Sequence, residues 1–67
     1  MSKLIKISTS KNFNSILFNL IINNNNITKS PIKFQNSILI SSKDLKLIKK
    51  ITKNNYLKLY ISEFWNI

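Results

Sequence analysis

Five lysines fall within eleven residues, at Lys43, Lys46, Lys49, Lys50 and Lys53. On an α-helix turning about 100° per residue they share one arc, while Leu45, Leu47, Ile48 and Ile51 take the opposite side. Such an arc is often no more than a solvated helix face. Here no acidic residue is interspersed on it, so the ammonium groups repel one another, and a polyanion lying along the arc relieves that repulsion. Each lysine meets phosphate as a point charge, because it lacks the planar fork with which Arg makes two parallel hydrogen bonds. The expected chemistry is electrostatic contact with a phosphate backbone.

Reaction chemistry has little to work with. General acid–base catalysis draws on groups tunable toward neutrality, usually His or a carboxyl. The chain has no His and no Cys, and its two carboxylates, Asp44 and Glu63, stand far apart in sequence. It has no Gly, so no Gly-rich phosphate loop can form. No enzyme activity, cofactor, small-molecule substrate or metal site is expected, and disulfides are excluded.

At 67 residues, with 11 basic residues (all Lys), 2 acidic ones and a net charge of +9, there is room for one small domain. A domain of about 60 residues buries only ~60% of the surface its unfolded chain exposes. Small folds usually add disulfides, a metal or a partner, and the partner is the option left. An anionic polymer suits the charge, because every neutralised phosphate also releases a counterion. No apolar run approaches the ~18–20 residues that cross a bilayer, so a membrane-spanning role is not expected.

The elements that would position these groups can be read in order. Lys3-Leu4-Ile5-Lys6-Ile7-Ser8-Thr9 alternates as a strand with Ile5 and Ile7 inward. Ser10 or Asn12 can cap a helix whose face is Phe13, Ile16, Leu17, Leu20 and Ile21. Asn23-Asn24-Asn25-Asn26 should end it, since Asn tolerates the left-handed conformation. Pro31 opens an extended segment with Ile32, Phe34, Ile38 and Ile40 on one face and Lys33, Gln35, Ser37 and Leu39 on the other. Gln35-Asn36-Ser37 is a candidate bulge or turn that would split this strand. Ser41-Ser42 offers a cap for the lysine-bearing helix, Asp44 suits its first-turn dipole, and Asn54-Asn55 closes it. Tyr56 to Ile61 alternates again, with Leu57, Leu59 and Ile61 inward and Tyr56, Lys58 and Tyr60 outward.

The expected fold is an α/β (α+β) two-layer sandwich in the order βαβαβ, with two helices on one face of a three-stranded sheet. Residues 1–61 form the single RNA-binding domain, and 62–67 an aromatic tail that docks on the domain or a neighbour. The open sheet face would present Leu4, Lys6, Lys33, Gln35, Tyr56, Lys58 and Tyr60. Tyrosines stack on bases while lysines meet phosphates, although Tyr is also common on half-exposed strands for reasons of packing alone. The candidate RNA-binding set is thus Lys6, Lys33, Lys43, Lys46, Lys49, Lys50, Lys53, Tyr56, Lys58 and Tyr60.

The abundance of Asn, Ile and Lys, without Ala, Val, Gly or Arg, reads as translation of a very AT-rich genome, either organellar or one of certain parasite or amoeba nuclear genomes. No Arg-rich leader precedes Lys3, so import into an organelle is not signalled, and synthesis inside the organelle would remove that difficulty.

Lys33-Phe34-Gln35-Asn36-Ser37-Ile38 is similar to the Lys-Ile-Asn-Gln-Thr-Val stretch of the bacterial-type large-subunit ribosomal protein thirty family, and Leu47-Ile48-Lys49-Lys50-Ile51 to its Met-Ile-x-Lys-Val helix. The length and βαβαβ order also resemble that family, over roughly residues 3–61. The resemblance implies a structural constituent of the large subunit of a mitochondrial or other organellar ribosome. Its partners would be rRNA and neighbouring ribosomal proteins, without homo-oligomerisation. Ser30-Pro31-Ile32-Lys33-Phe34 resembles the Gly-Pro-Ile-Pro-Leu stretch of small-subunit ribosomal protein ten, a family with one strand more and a long penetrating loop. An accessory subunit of an organellar membrane complex, its lysines near anionic lipid, is a third expectation. A small DNA-binding regulator is disfavoured, for want of helix-turn-helix spacing or a dimerising heptad.

Overall fold

A computed structural model of the chain describes residues 3–64, the side chains of Lys11, Glu63 and Phe64 excepted. Six main elements follow one another: β1 (Leu4–Ser8), α1 (Asn14–Ile22), β2 (Ile32–Phe34), β3 (Ser37–Ser41), α2 (Leu45–Asn54) and β4 (Tyr60–Phe64). Single 3-10 turns, Lys11–Phe13 and Ser42–Asp44, lead into the two helices.

The sheet has four strands rather than three, in the spatial order β2-β3-β1-β4 with every neighbour antiparallel. The β-α-β-β-α-β order makes two interlocked split β-α-β units, the ferredoxin-like topology. The fourth strand arises because Gln35-Asn36 is a tight hairpin turn, with Phe34 paired to Ser37. Gln35 has φ 54°, a region that normally favours Gly, and Asn36 does not share it.

This turn also corrects the expected facing of β2. Residues paired across a hairpin share a face, and Phe34 and Ser37 differ by an odd number, so odd and even positions exchange sides. Lys33 pairs with Ile38 on the helix side, and Ile32 pairs with Leu39 on the opposite one.

Ile5 opposite Ile40 and Ile7 opposite Ile38 form the inner sheet face. Leu17 and Ile21 of α1 and Ile48 and Ile51 of α2 pack on them, with Phe18, Leu20, Leu45, Leu47, Leu57 and Leu59 around the margin. Both helices therefore cover one face, as a two-layer plan requires. Leu4 and Leu39 lie on the other face, by strand alternation, and are still only 5% and 6% exposed.

Helix α1 is rolled from its expected orientation: Phe13 and Ile16 are 43% and 48% exposed. The cause is Asn14, which is buried in the first turn of the helix. Its Oδ1 accepts from Thr9 N at 2.7 Å and its Nδ2 donates to Asn36 O at 2.7 Å. These bonds fix the helix so that its inward stripe is Asn14, Leu17 and Ile21. Ser10 makes no side-chain cap. The asparagine run ends α1 without left-handed geometry: Asn23 has φ −85°, and Asn24 Oδ1 accepts from Asn26 N at 2.8 Å in a local turn.

The last strand is Tyr60–Phe64 instead of residues 56–61, so residues 62–64 of the expected tail are in the sheet. Residues 65–67 lie outside the described part.

Candidate nucleic-acid interface

The 3-10 turn that leads into α2 begins where the hydroxyl of Ser41, the last residue of β3, accepts from Lys43 N at 3.3 Å. Asp44 follows but makes no cap hydrogen bond to α2. Its carboxylate turns inward instead, 2% exposed, with Oδ1 accepting from Thr28 N at 3.0 Å and Thr28 Oγ1 at 2.8 Å, and Oδ2 from Lys29 N at 3.3 Å. The loop after α1 is thereby tied to the start of α2. Asp44 is the one acidic side chain among those described, and it faces this loop instead of the lysine arc.

Ile48 and Ile51 bury the inner side of α2, and Thr52 is buried with them, its single hydroxyl hydrogen shared between Ile48 O at 3.0 Å and Lys49 O at 2.9 Å. The opposite side carries exposed Lys46, Lys49, Lys50 and Lys53, and exposed Lys43 lies in the 3-10 turn just before the helix. From Lys46 to Lys53 the helix rises about 10 Å, enough to follow a short run of phosphates. Lys53 lies in the last turn, where a cation also suits the helix dipole.

The helix ends in a Schellman motif. Tyr56 N donates to Lys53 O at 3.2 Å and Leu57 N to Thr52 O at 2.8 Å, the 5→2 and 6→1 pair of that motif. Asn55 supports it through Nδ2, which donates to Ile51 O at 2.9 Å. Tyr56 occupies the left-handed position, φ 58°, usually held by Gly, while Leu57 folds back onto the core.

The remaining candidates are dispersed by the fold. Tyr56 is off the sheet altogether, at the end of α2 and 97% exposed. Lys33 is on the helix side, its Nζ 3.3 Å from Ser15 Oγ and 5.9 Å from the Phe18 ring centroid. Lys58 precedes β4, with Nζ 5.7 Å from the centroid of Tyr60. Lys6 and Tyr60 keep the face away from the helices, two residues apart in the β1–β4 register. Their neighbours there are Ile32, Leu39 and several serines rather than further lysines. The sheet face is thus more apolar than expected, and the cationic surface is concentrated on α2.

Lys29 was not signalled by the sequence. The Asp44 carboxylate holds its backbone beside the start of α2 and adds an exposed cation to that end. No local pattern could show this, since the two segments are joined only by the folded loop. Among the described residues there is no cluster of metal-binding side chains, and no helix is long and apolar enough to cross a membrane. Comparison of the chain with protein-family models, with curated proteins and with solved structures finds no match.

Proposed function

We propose that the protein is a non-catalytic RNA-binding subunit of a ribonucleoprotein, which lays the lysine face of α2 along the phosphate backbone. One observation carries this reading: four exposed lysines lie on one side of a short helix, with exposed Lys43 in the turn before it, while the described carboxylate is turned into the loop behind it. Coulomb repulsion within the arc is relieved by phosphate, with counterion release as the added driving force. The ribosome is the assembly proposed, and an organellar one in view of the AT-rich coding bias.

The large-subunit protein thirty resemblance remains the leading assignment for the subunit. A specific feature favours the second resemblance: the β2–β3 hairpin supplies the fourth strand that small-subunit protein ten has, and Ser30-Pro31-Ile32-Lys33-Phe34 lies at the start of β2. Co-sedimentation with the large or small subunit on a sucrose gradient decides between them, whereas retention in carbonate-washed membranes would favour the membrane-complex alternative.

Affinity for RNA should fall steeply with salt. With about four phosphates engaged, log Kd should change with log salt at a slope of about 3 to 4 in magnitude. Replacing Lys46, Lys49, Lys50 and Lys53 by Gln should bring that slope close to zero in an anisotropy titration. An unchanged slope would reassign the arc to solvent.

A further inference from the structure

The residue that ends α2 has a conformation at odds with its type. A Schellman motif requires a left-handed residue, and for anything but Gly or Asn that geometry is disfavoured by contact of Cβ with the backbone. Tyr56 adopts it at φ 58° and projects its ring into solvent with 97% of its surface exposed. The folded domain gains nothing from the ring, which is absent from the hydrophobic core. Asn54 and Asn55, residues better suited to the left-handed position, immediately precede it, and the motif nonetheless places Tyr there.

The surroundings specify what such a ring would meet. Lys53 lies one helical turn before it on the exposed lysine face, and exposed Lys58 lies two residues beyond it. The carbonyl end of a helix carries a partial negative charge, so phosphate is better placed further back along the arc. A neutral, flat group is suited to the end itself. An unpaired nucleobase attached to the same backbone has that character, and aromatic stacking is how proteins hold such bases.

We propose that Tyr56 stacks on an unpaired base of the RNA whose phosphates lie along α2, so that the preferred ligand is a bulge, loop or strand end rather than a continuous duplex. This rests on the RNA-binding reading and adds a choice between RNA forms. The lysines measure charge along the backbone, and Tyr56 detects where a base has left the stack.

The test compares a blunt RNA duplex with the same duplex carrying an internal bulge of unpaired nucleotides. Wild-type protein should bind the bulged form on the order of ten-fold more tightly, as one stacked base contributes. Tyr56→Gly should remove this difference, yet stay folded because Gly fits the left-handed site, while Tyr56→Phe should retain it. Neither variant should alter the salt slope, which belongs to the lysines. Equal affinity of the wild type for both duplexes, or a preference that survives Tyr56→Gly, overturns the proposal and leaves salt-dependent RNA binding standing. Absence of salt-dependent binding to either probe removes the RNA reading and this inference together.

Discussion

Asp44 and Asn14 illustrate how single polar side chains set the geometry of so small a core. Each is buried at the junction of two segments and each hydrogen-bonds backbone groups of other segments: Thr28 and Lys29 for Asp44, Thr9 and Asn36 for Asn14. A hydrogen bond to a charged group contributes about 1.5–3 kcal/mol. Asp44→Ala should therefore destabilise the fold by about 2 kcal/mol. For a domain of this size that lowers the thermal midpoint by roughly 8–16 °C in a circular-dichroism melt. Asp44→Asn keeps an acceptor and should lose less. If the two variants melt alike, the carboxylate is not acting through these hydrogen bonds.

At the scale of the element, the two backbone positions with positive φ among the described residues carry Gln35 and Tyr56 in a chain that has no Gly. Left-handed geometry costs an ordinary residue about 1 kcal/mol, partly offset on substitution by the greater freedom of Gly in the unfolded chain. Gln35→Gly should accordingly stabilise the β2–β3 hairpin by about 0.5–1 kcal/mol, seen as a raised denaturant midpoint with unchanged slope. These same positions mark the limit of what the sequence discloses. The lysine arc and the alternation of β1 were legible, because both are periodicities within one element. The Gln35-Asn36 stretch was visible as a break, but only the tight turn itself exchanges the faces of β2 and moves Lys33 to the helix side. The Schellman end of α2 was hidden for a similar reason. Its usual signal is Gly, and without Gly the left-handed residue could be recognised only from Leu57 folding back onto the core. Asn14 gives no such signal, because a polar side chain in an apolar helix reads as outward-facing until its partners on other segments are known.

For the whole molecule, charge and stability act in opposite senses. A net charge of +9 on a 67-residue chain makes the folded state repel itself, and salt screens that repulsion. The free protein should melt at a higher temperature as salt is raised from low to physiological strength, while its affinity for RNA falls over the same range. RNA at about 100 times its Kd should add ~2.7 kcal/mol of stability at low salt, and scanning fluorimetry with and without RNA would record both trends. Failure of salt to raise the melting point of the free protein would show that lysine repulsion is not a significant strain on the fold.

The pairing of β1 with both β3 and β4 carries a further consequence, in the order of synthesis. Residues 4–8 emerge first, acquire one neighbour when residues 37–41 appear, and the other only with residues 60–64. Until then β1 has an unpaired edge in a strand destined for the interior of the sheet, the kind of edge that recruits other chains. Closing it late, over nearly the full length of the chain, favours slow folding despite the small size.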